Sequence, residues 1–419
     1  MEFLRGAAVV GQSGGPTAAI NATLAGVIDG YFREKNGSGA VTGLYGMKNG
    51  IEGLLKERLC NLGEIFAAPD GTIDEEKKQL LINTPAAALG SCRNKLPKSA
   101  DDPAFYENLI SIFKKYDIRY FFYIGGNDSM DTVAKLSEYL KTSDYKMCAI
   151  GIPKTIDNDL TGTDHTPGYG SAAKFIATTM QEIVRDCAVY TTKAVTIVEI
   201  MGRDAGWLTA AAGLPNLISG QGPDYVYLPE VPFDMDKFYA DIEVAFTRHP
   251  NIVIAVSEGV RFADGRYVGE GTQTGVADAF GHKYLSGTGK ALEMAVKEKF
   301  GCKVRSVELN LPQRCAAHLA SRTDLDESVA TGRSGIEAAV SGLTGSMVSM
   351  VRADGDYAIT YEASEISKIA NAVRSVPRDY INEAGNNVNE KCLAYIRPLI
   401  QGEVAPKYVD GLPVHFVIE

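Results

Sequence analysis

At 419 residues and 45.0 kDa the chain is too long for one ordinary core, and its length predicts two domains. A hydrophobic content of 45% and a charged content of 22% exclude a disordered chain, and a net charge of -10 excludes a broad nucleic-acid surface, so any phosphate site must be local. Seven scattered cysteines without a CxxC pair suggest neither a disulfide framework nor a zinc site. They are read as reduced thiols. No apolar run approaches membrane-spanning length, and the first residues lack a signal peptide's order, so a soluble cytoplasmic protein is expected.

Gly6 to Val10 reads as a short strand running into Gly11-Gln12-Ser13-Gly14-Gly15-Pro16-Thr17 and then a helix from about Ala18 to Phe32. Glycines let a backbone approach an anion closely, and a helix N-terminus supplies free N–H groups. The loop has neither the dinucleotide nor the Walker A spacing. A strand from Val41 follows, and Gly90-Ser91-Cys92-Arg93 places an arginine beside a turn, where it could clamp a phosphate or merely be solvated. Tyr120 to Ile124 is a strong buried strand that ends in Gly125-Gly126-Asn127-Asp128-Ser129, before a helix from about Met130 to Leu140. Asp128 or Ser129 could equally be an N-cap.

Met147 to Ile150 predicts a buried strand, and Gly151-Ile152-Pro153-Lys154-Thr155-Ile156-Asp157-Asn158-Asp159 emerges at its carboxyl end, where open α/β sheets bind ligands. This segment is read as extended, so that Asp157 and Asp159 share a face and can converge; a capped turn is the alternative. A long helix is expected from about Ser171 to Tyr190, and the strand Val195 to Ile200 opens into Met201-Gly202-Arg203. Further strands at Tyr225–Leu228, Ile252–Val256 and Val304–Leu309 alternate with helices at Asp234–Phe246 and Thr288–Phe300, which predicts a second α/β sheet. Glu258 follows one of these strands, and Pro312-Gln313-Arg314 follows the last, with Arg305 nine residues before Arg314. The histidines show no metal-ligand spacing. Beyond Ala363 the pattern is short helices and strands without a legible role.

Taken together, Gly14-Gly15-Pro16-Thr17, Gly125-Gly126-Asn127-Asp128-Ser129, Pro153-Lys154-Thr155-Ile156-Asp157-Asn158-Asp159, Met201-Gly202-Arg203, Glu258 and Gln313-Arg314 resemble the phosphofructokinase family in type, order and spacing. The residue choices are similar to its pyrophosphate-dependent branch: Lys154 and Asp128 stand where ATP-using members usually have glycine. The resemblance implies an α/β fold of two Rossmann-like three-layer domains with a substrate cleft between them. One half would comprise residues 1–170 and about 313–362, and the other 171–312 and about 363–419.

By the same resemblance, Asp157 takes the proton of the C1 hydroxyl of fructose 6-phosphate, which then attacks pyrophosphate; Thr155 positions that hydroxyl. Asp159 serves Mg²⁺, with Asp128 as a second metal-side carboxylate. Gly14, Gly15, Lys154 and Arg93 hold pyrophosphate, whereas Met201, Gly202, Arg203 and Glu258 enclose the sugar. Arg314 binds the 6-phosphate, joined by Arg305 and Lys193 from a neighbouring subunit of a homodimer or homotetramer. The sequence departs from the family pattern at three positions. Asn127 replaces a metal-binding aspartate, Leu311 a histidine or tyrosine, and Ala194 an arginine. Like charges at about 4 Å repel by roughly 4 kcal/mol at an effective dielectric of about 20, so Asp128 facing the α-phosphate of ATP disfavours it about a hundredfold or more. The rival readings are an ATP-dependent phosphofructokinase and a non-catalytic sugar-phosphate-binding subunit.

Overall fold

The computed structural model describes residues 4–218, 220–270, 287–369 and 372–418; His282 lies outside them. Its main strands are β1 (Gly6–Gln12), β2 (Val41–Met47), β3 (Leu59–Asn61), β4 (Ile118–Gly125), β5 (Cys148–Pro153), β6 (Ala194–Ile200), β7 (Tyr225–Tyr227), β8 (Asn251–Ser257), β9 (Lys303–Glu308), β10 (Ser346–Arg352) and β11 (Ile359–Glu365). They form a seven-stranded sheet in the order β11-β10-β5-β4-β1-β2-β3 and a four-stranded sheet in the order β7-β8-β6-β9. The smaller sheet is wholly parallel. The larger is parallel except at its edges, where β3 and β11 run antiparallel to their neighbours.

Both sheets are covered on both faces, which is why their central strands read as unbroken apolar runs. Alternate residues serve different cores: Ala8, Val10, Tyr120, Phe122 and Ile124 face one side of the larger sheet, and Val9, Phe121 and Tyr123 face the other. The smaller sheet splits likewise, with Val198 and Ile200 on one side and Val195 and Ile197 on the other. On the first face of the larger sheet, helix Ile20–Asn36 lies against helix Arg322–Val340. The two helix backbones nearly touch: a Cβ on Gly332 would meet the carbonyl oxygen of Thr23 at 2.1 Å. This approach needs glycine, and the small, polar composition of Arg322–Val340 hides the helix from a search for apolar periodicity.

The last part of the chain crosses between the two sheets. Strands β10 and β11 complete the larger sheet, and Ile366 and Ile369 still pack beneath it. Helix Glu390–Ile396 then contributes Cys392, Leu393 and Ile396 to a core of the smaller sheet. The tail returns to the larger sheet, where the ring of Phe416 lies 5.0 Å from that of Phe66. Among the described residues no helix is long and apolar enough to cross a membrane, and all seven cysteines are free.

Candidate active site

The carboxyl ends of β1, β4, β5, β6 and β8 open on one cleft of about 380 Å³. Gly14, Gly15, Arg93, Asp128, Lys154, Thr155, Asp157, Asp159, Met201, Gly202, Arg203, Glu258 and Arg314 all line it. Lys193 and Arg305 do not. Lys193 immediately precedes β6 at its amino end, with its ammonium 4.8 Å from the Phe246 ring centroid, and Arg305 is exposed on β9.

The glycine loop after β1 brings its backbone to the cleft. Thr17 Oγ1 accepts the N–H groups of Ala19 and Ile20, at 3.2 and 2.8 Å, so the start of helix Ile20–Asn36 is already capped. Two of the N–H groups at that helix start are thus taken by threonine. Gly14 adopts a φ of 76°, in the left-handed region, and its carbonyl accepts the Ser91 hydroxyl at 2.6 Å. This bond ties the loop to the segment carrying Arg93. Lys154 is buried, and its Nζ donates to the Gly15 carbonyl at 2.8 Å. Burial pushes its ammonium down to about 8, against the pull of Asp157.

After β4, Gly126 precedes helix Asn127–Thr142, which presents its N-terminus to the cleft, and Asp128 sits in its first turn. Asp128 Oδ1 lies 3.1 Å from Lys95 Nζ. The buried Oδ1 of Asn127 has no hydrogen-bond partner, an orphan that normally calls for a ligand or ion.

The Asp157–Asp159 segment is not extended. Strand β5 stops at Pro153, and Asn158 turns the backbone with a φ of 54°. The two carboxylates thus approach through a left-handed turn rather than through strand alternation, a conformation asparagine tolerates better than most residues. The Thr155 hydroxyl accepts the Asp157 N–H at 3.1 Å, which leaves its own hydrogen to donate. Burial raises the Asp157 carboxyl, opposed by Arg203, Lys154 and Arg314. Burial and then Asp157 raise Asp159 to about 7. Two half-buried carboxylates close in sequence, with the orphaned Asn127 oxygen in the same cleft, form a hard oxygen donor set that fits Mg²⁺. Among the described residues no three acidic, histidine or cysteine side chains cluster as a metal cage.

At the ends of β6 and β8, Glu258 Oε1 accepts the N–H groups of Gly202 and Arg203, at 3.3 and 3.1 Å. Burial, followed by the Asp157 charge, raises Glu258 to about 8. Gln313 is buried and accepts the Met201 N–H at 3.2 Å, so it shapes this wall from behind. Burial, followed by Arg93, holds Arg314 below the usual guanidinium range, as two cations sharing a pocket should.

Arg374 was missed by sequence reasoning. Its guanidinium donates to the carbonyls of Asn158, Thr163 and Asp164 and to the Tyr395 hydroxyl, while its own N–H donates to the Asp159 carbonyl at 2.7 Å. Arg374 lies 4.6 Å above Trp207. A lone arginine in an unreadable segment gives no signal, and the carbonyls it serves lie more than two hundred residues away.

A model described as phosphofructokinase matches residues 7–339. The pyrophosphate--fructose 6-phosphate 1-phosphotransferase of Halomonas elongata is 41% identical over 405 residues, covering 96% of this chain and 93% of that protein. That of Methylococcus capsulatus is 39% identical over 406 residues, with coverages of 96% and 93%. The crystal structure of a pyrophosphate-dependent phosphofructokinase from Nitrosospira multiformis superimposes with a TM-score of 0.86 at 36% identity, covering 98% of this chain and 96% of the other. The chain belongs to the phosphofructokinase family.

Proposed function

We propose that this chain transfers a phosphoryl group reversibly between pyrophosphate and the C1 hydroxyl of fructose 6-phosphate, giving fructose 1,6-bisphosphate and phosphate. The observation that carries this reading is the half-buried Asp157 carboxylate, in one cleft with Lys154, Arg203 and Arg314, the three cations that oppose its raised pKa. Asp157 accepts the hydroxyl proton, and Thr155 orients that hydroxyl. The freed oxygen forms a bond to the near phosphorus while the bridging P–O bond breaks and its electron pair leaves on phosphate. Lys154, Arg93 and the Gly14–Gly15 backbone hold the donor and offset the charge that grows on its oxygens. Asp159 would hold Mg²⁺, with Asn127 in the same cleft in place of the family's aspartate, and the ion would supply charge neutralisation to the donor. Asp128, paired with Lys95, is less free to be a ligand. Met201, Gly202, Arg203 and Glu258 enclose the sugar, and Arg314 takes its 6-phosphate.

The proposed division assigns the larger sheet to the donor and the smaller sheet to the sugar. The joint burial of Ile366 and Ile369 with the larger sheet favours a boundary a few residues after 362. A homodimer or homotetramer, in which Lys193 and Arg305 reach a neighbour's 6-phosphate, accounts for their distance from the cleft of their own chain. A cytoplasmic location suits seven unpaired cysteines. Phosphorus NMR tests the reaction: with Mg²⁺ and fructose 6-phosphate, the pyrophosphate signal should convert to phosphate and a C1 phosphate ester, and the same mixture should be reached from the products. A pyrophosphate signal that persists unchanged would refute the function.

A further inference from the structure

The Asp128 carboxylate that would reject a nucleotide also stands beside the donor that must be accepted. Its side chain is 27% exposed and lines the cleft shared with Arg93 and Lys154. An uncompensated negative charge there would repel pyrophosphate as well as ATP. The structure places one cation against it, Lys95 Nζ at 3.1 Å from Asp128 Oδ1. Asp131, one turn further along the helix, is paired with Lys135 at 2.7 Å, and Lys135 also donates to the Leu96 carbonyl at 2.9 Å. Residues 95 and 96 are thereby fixed to helix Asn127–Thr142 at two successive points, while Ser91 fixes the other end of the segment to Gly14. Lys95 is held where its charge serves Asp128.

Building on the donor reading above, we propose that Lys95 is a donor-specificity residue: it neutralises Asp128 enough for pyrophosphate to enter, while the carboxylate still bars a longer polyphosphate chain. Lys95 then acts on the donor through Asp128, as a positioning and charge-balancing group rather than a catalytic residue. This differs from a direct phosphate contact, in which Lys95 would matter whatever stood at 128.

A double-mutant cycle separates the two. Steady-state kinetics with Mg²⁺, fructose 6-phosphate and pyrophosphate would be measured for the wild type, Lys95→Gln, Lys95→Arg, Asp128→Asn and Lys95→Gln/Asp128→Asn. The pair is half-exposed, so Lys95→Gln should raise the KM for pyrophosphate about three- to fivefold, with kcat and the KM for fructose 6-phosphate changed by less than about twofold. Lys95→Arg should restore it. In the Asp128→Asn background the same Lys95→Gln change should alter the KM for pyrophosphate by less than about 1.5-fold. An equal rise in both backgrounds would overturn the proposal in favour of direct contact, and no rise in Lys95→Gln would overturn it outright. Equilibrium binding of pyrophosphate to the same five proteins reads the coupling without turnover. If the wild type fails to turn over pyrophosphate, the proposed function falls, while the binding cycle still decides the role of Lys95: a loss of affinity in Lys95→Gln that vanishes in the Asp128→Asn background supports it, and an equal loss in both or none overturns it.

Discussion

Replacing Asp157 with asparagine removes the base and leaves almost everything else. The amide keeps the shape of the side chain, and the backbone N–H of residue 157 still reaches the Thr155 hydroxyl. The half-buried position favours a neutral group there, since burial is the largest influence on the Asp157 carboxyl. The fold should therefore tolerate Asp157→Asn with little loss of thermal stability. A positioned general base contributes roughly a hundred- to ten-thousandfold, about 3–5 kcal/mol of barrier, and kcat should fall by that amount. Lys154, Arg203 and Arg314 remain to bind anions, so KM for both substrates should stay within about threefold. The assay is steady-state kinetics in both directions, with circular dichroism to confirm folding. Activity within tenfold of wild type would refute the assignment of Asp157 as base.

Three further predictions follow from the same geometry. The pH profile of kcat/KM should be narrow: activity is lost as pH falls through about 7, where Asp159 takes up a proton, and as pH rises through about 8, where Lys154 and Glu258 lose theirs. A profile that stays flat well beyond this window on both sides would contradict the burial-driven shifts. Asp128→Gly combined with Lys154→Gly should raise kcat/KM for ATP at least about tenfold over the parent, and an unchanged value would remove the electrostatic account of donor choice. Arg374→Met leaves the carbonyls of Asn158, Thr163 and Asp164 without its guanidinium. It should lower stability by about 3 kcal/mol and kcat by about tenfold or more at nearly constant KM, measured by denaturant unfolding and kinetics; a kcat equal to wild type would show that the turn holds itself.

The sheet frame was legible because β4, β5, β6 and β8 are buried on both faces and advertise themselves as apolar runs ending in glycine or charge. Most of the cleft residues follow strand ends for the same reason, whereas Arg93, in a coil segment, was named only through the family resemblance. Elements whose packing depends on small or polar residues stayed hidden. Helix Arg322–Val340 meets its neighbour through Gly332, and β10 and β11 could have been found only from the Asp354-Gly355 turn between two strand-like runs. The Asp157–Asn158–Asp159 backbone was misjudged because an alternation argument assumes extended geometry, whereas Asn158 turns it. The support from Arg374 and Tyr395 was invisible for a different reason: long-range bonds to backbone carbonyls impose no pattern on the sequence that receives them.

The most direct test is a comparison of kcat/KM for pyrophosphate and for ATP, measured side by side with Mg²⁺ and saturating fructose 6-phosphate. With Lys154 buried against the Gly15 carbonyl and Asp128 lining the same cleft, the account predicts a preference for pyrophosphate of at least about a hundredfold. Equal or greater efficiency with ATP would contradict it.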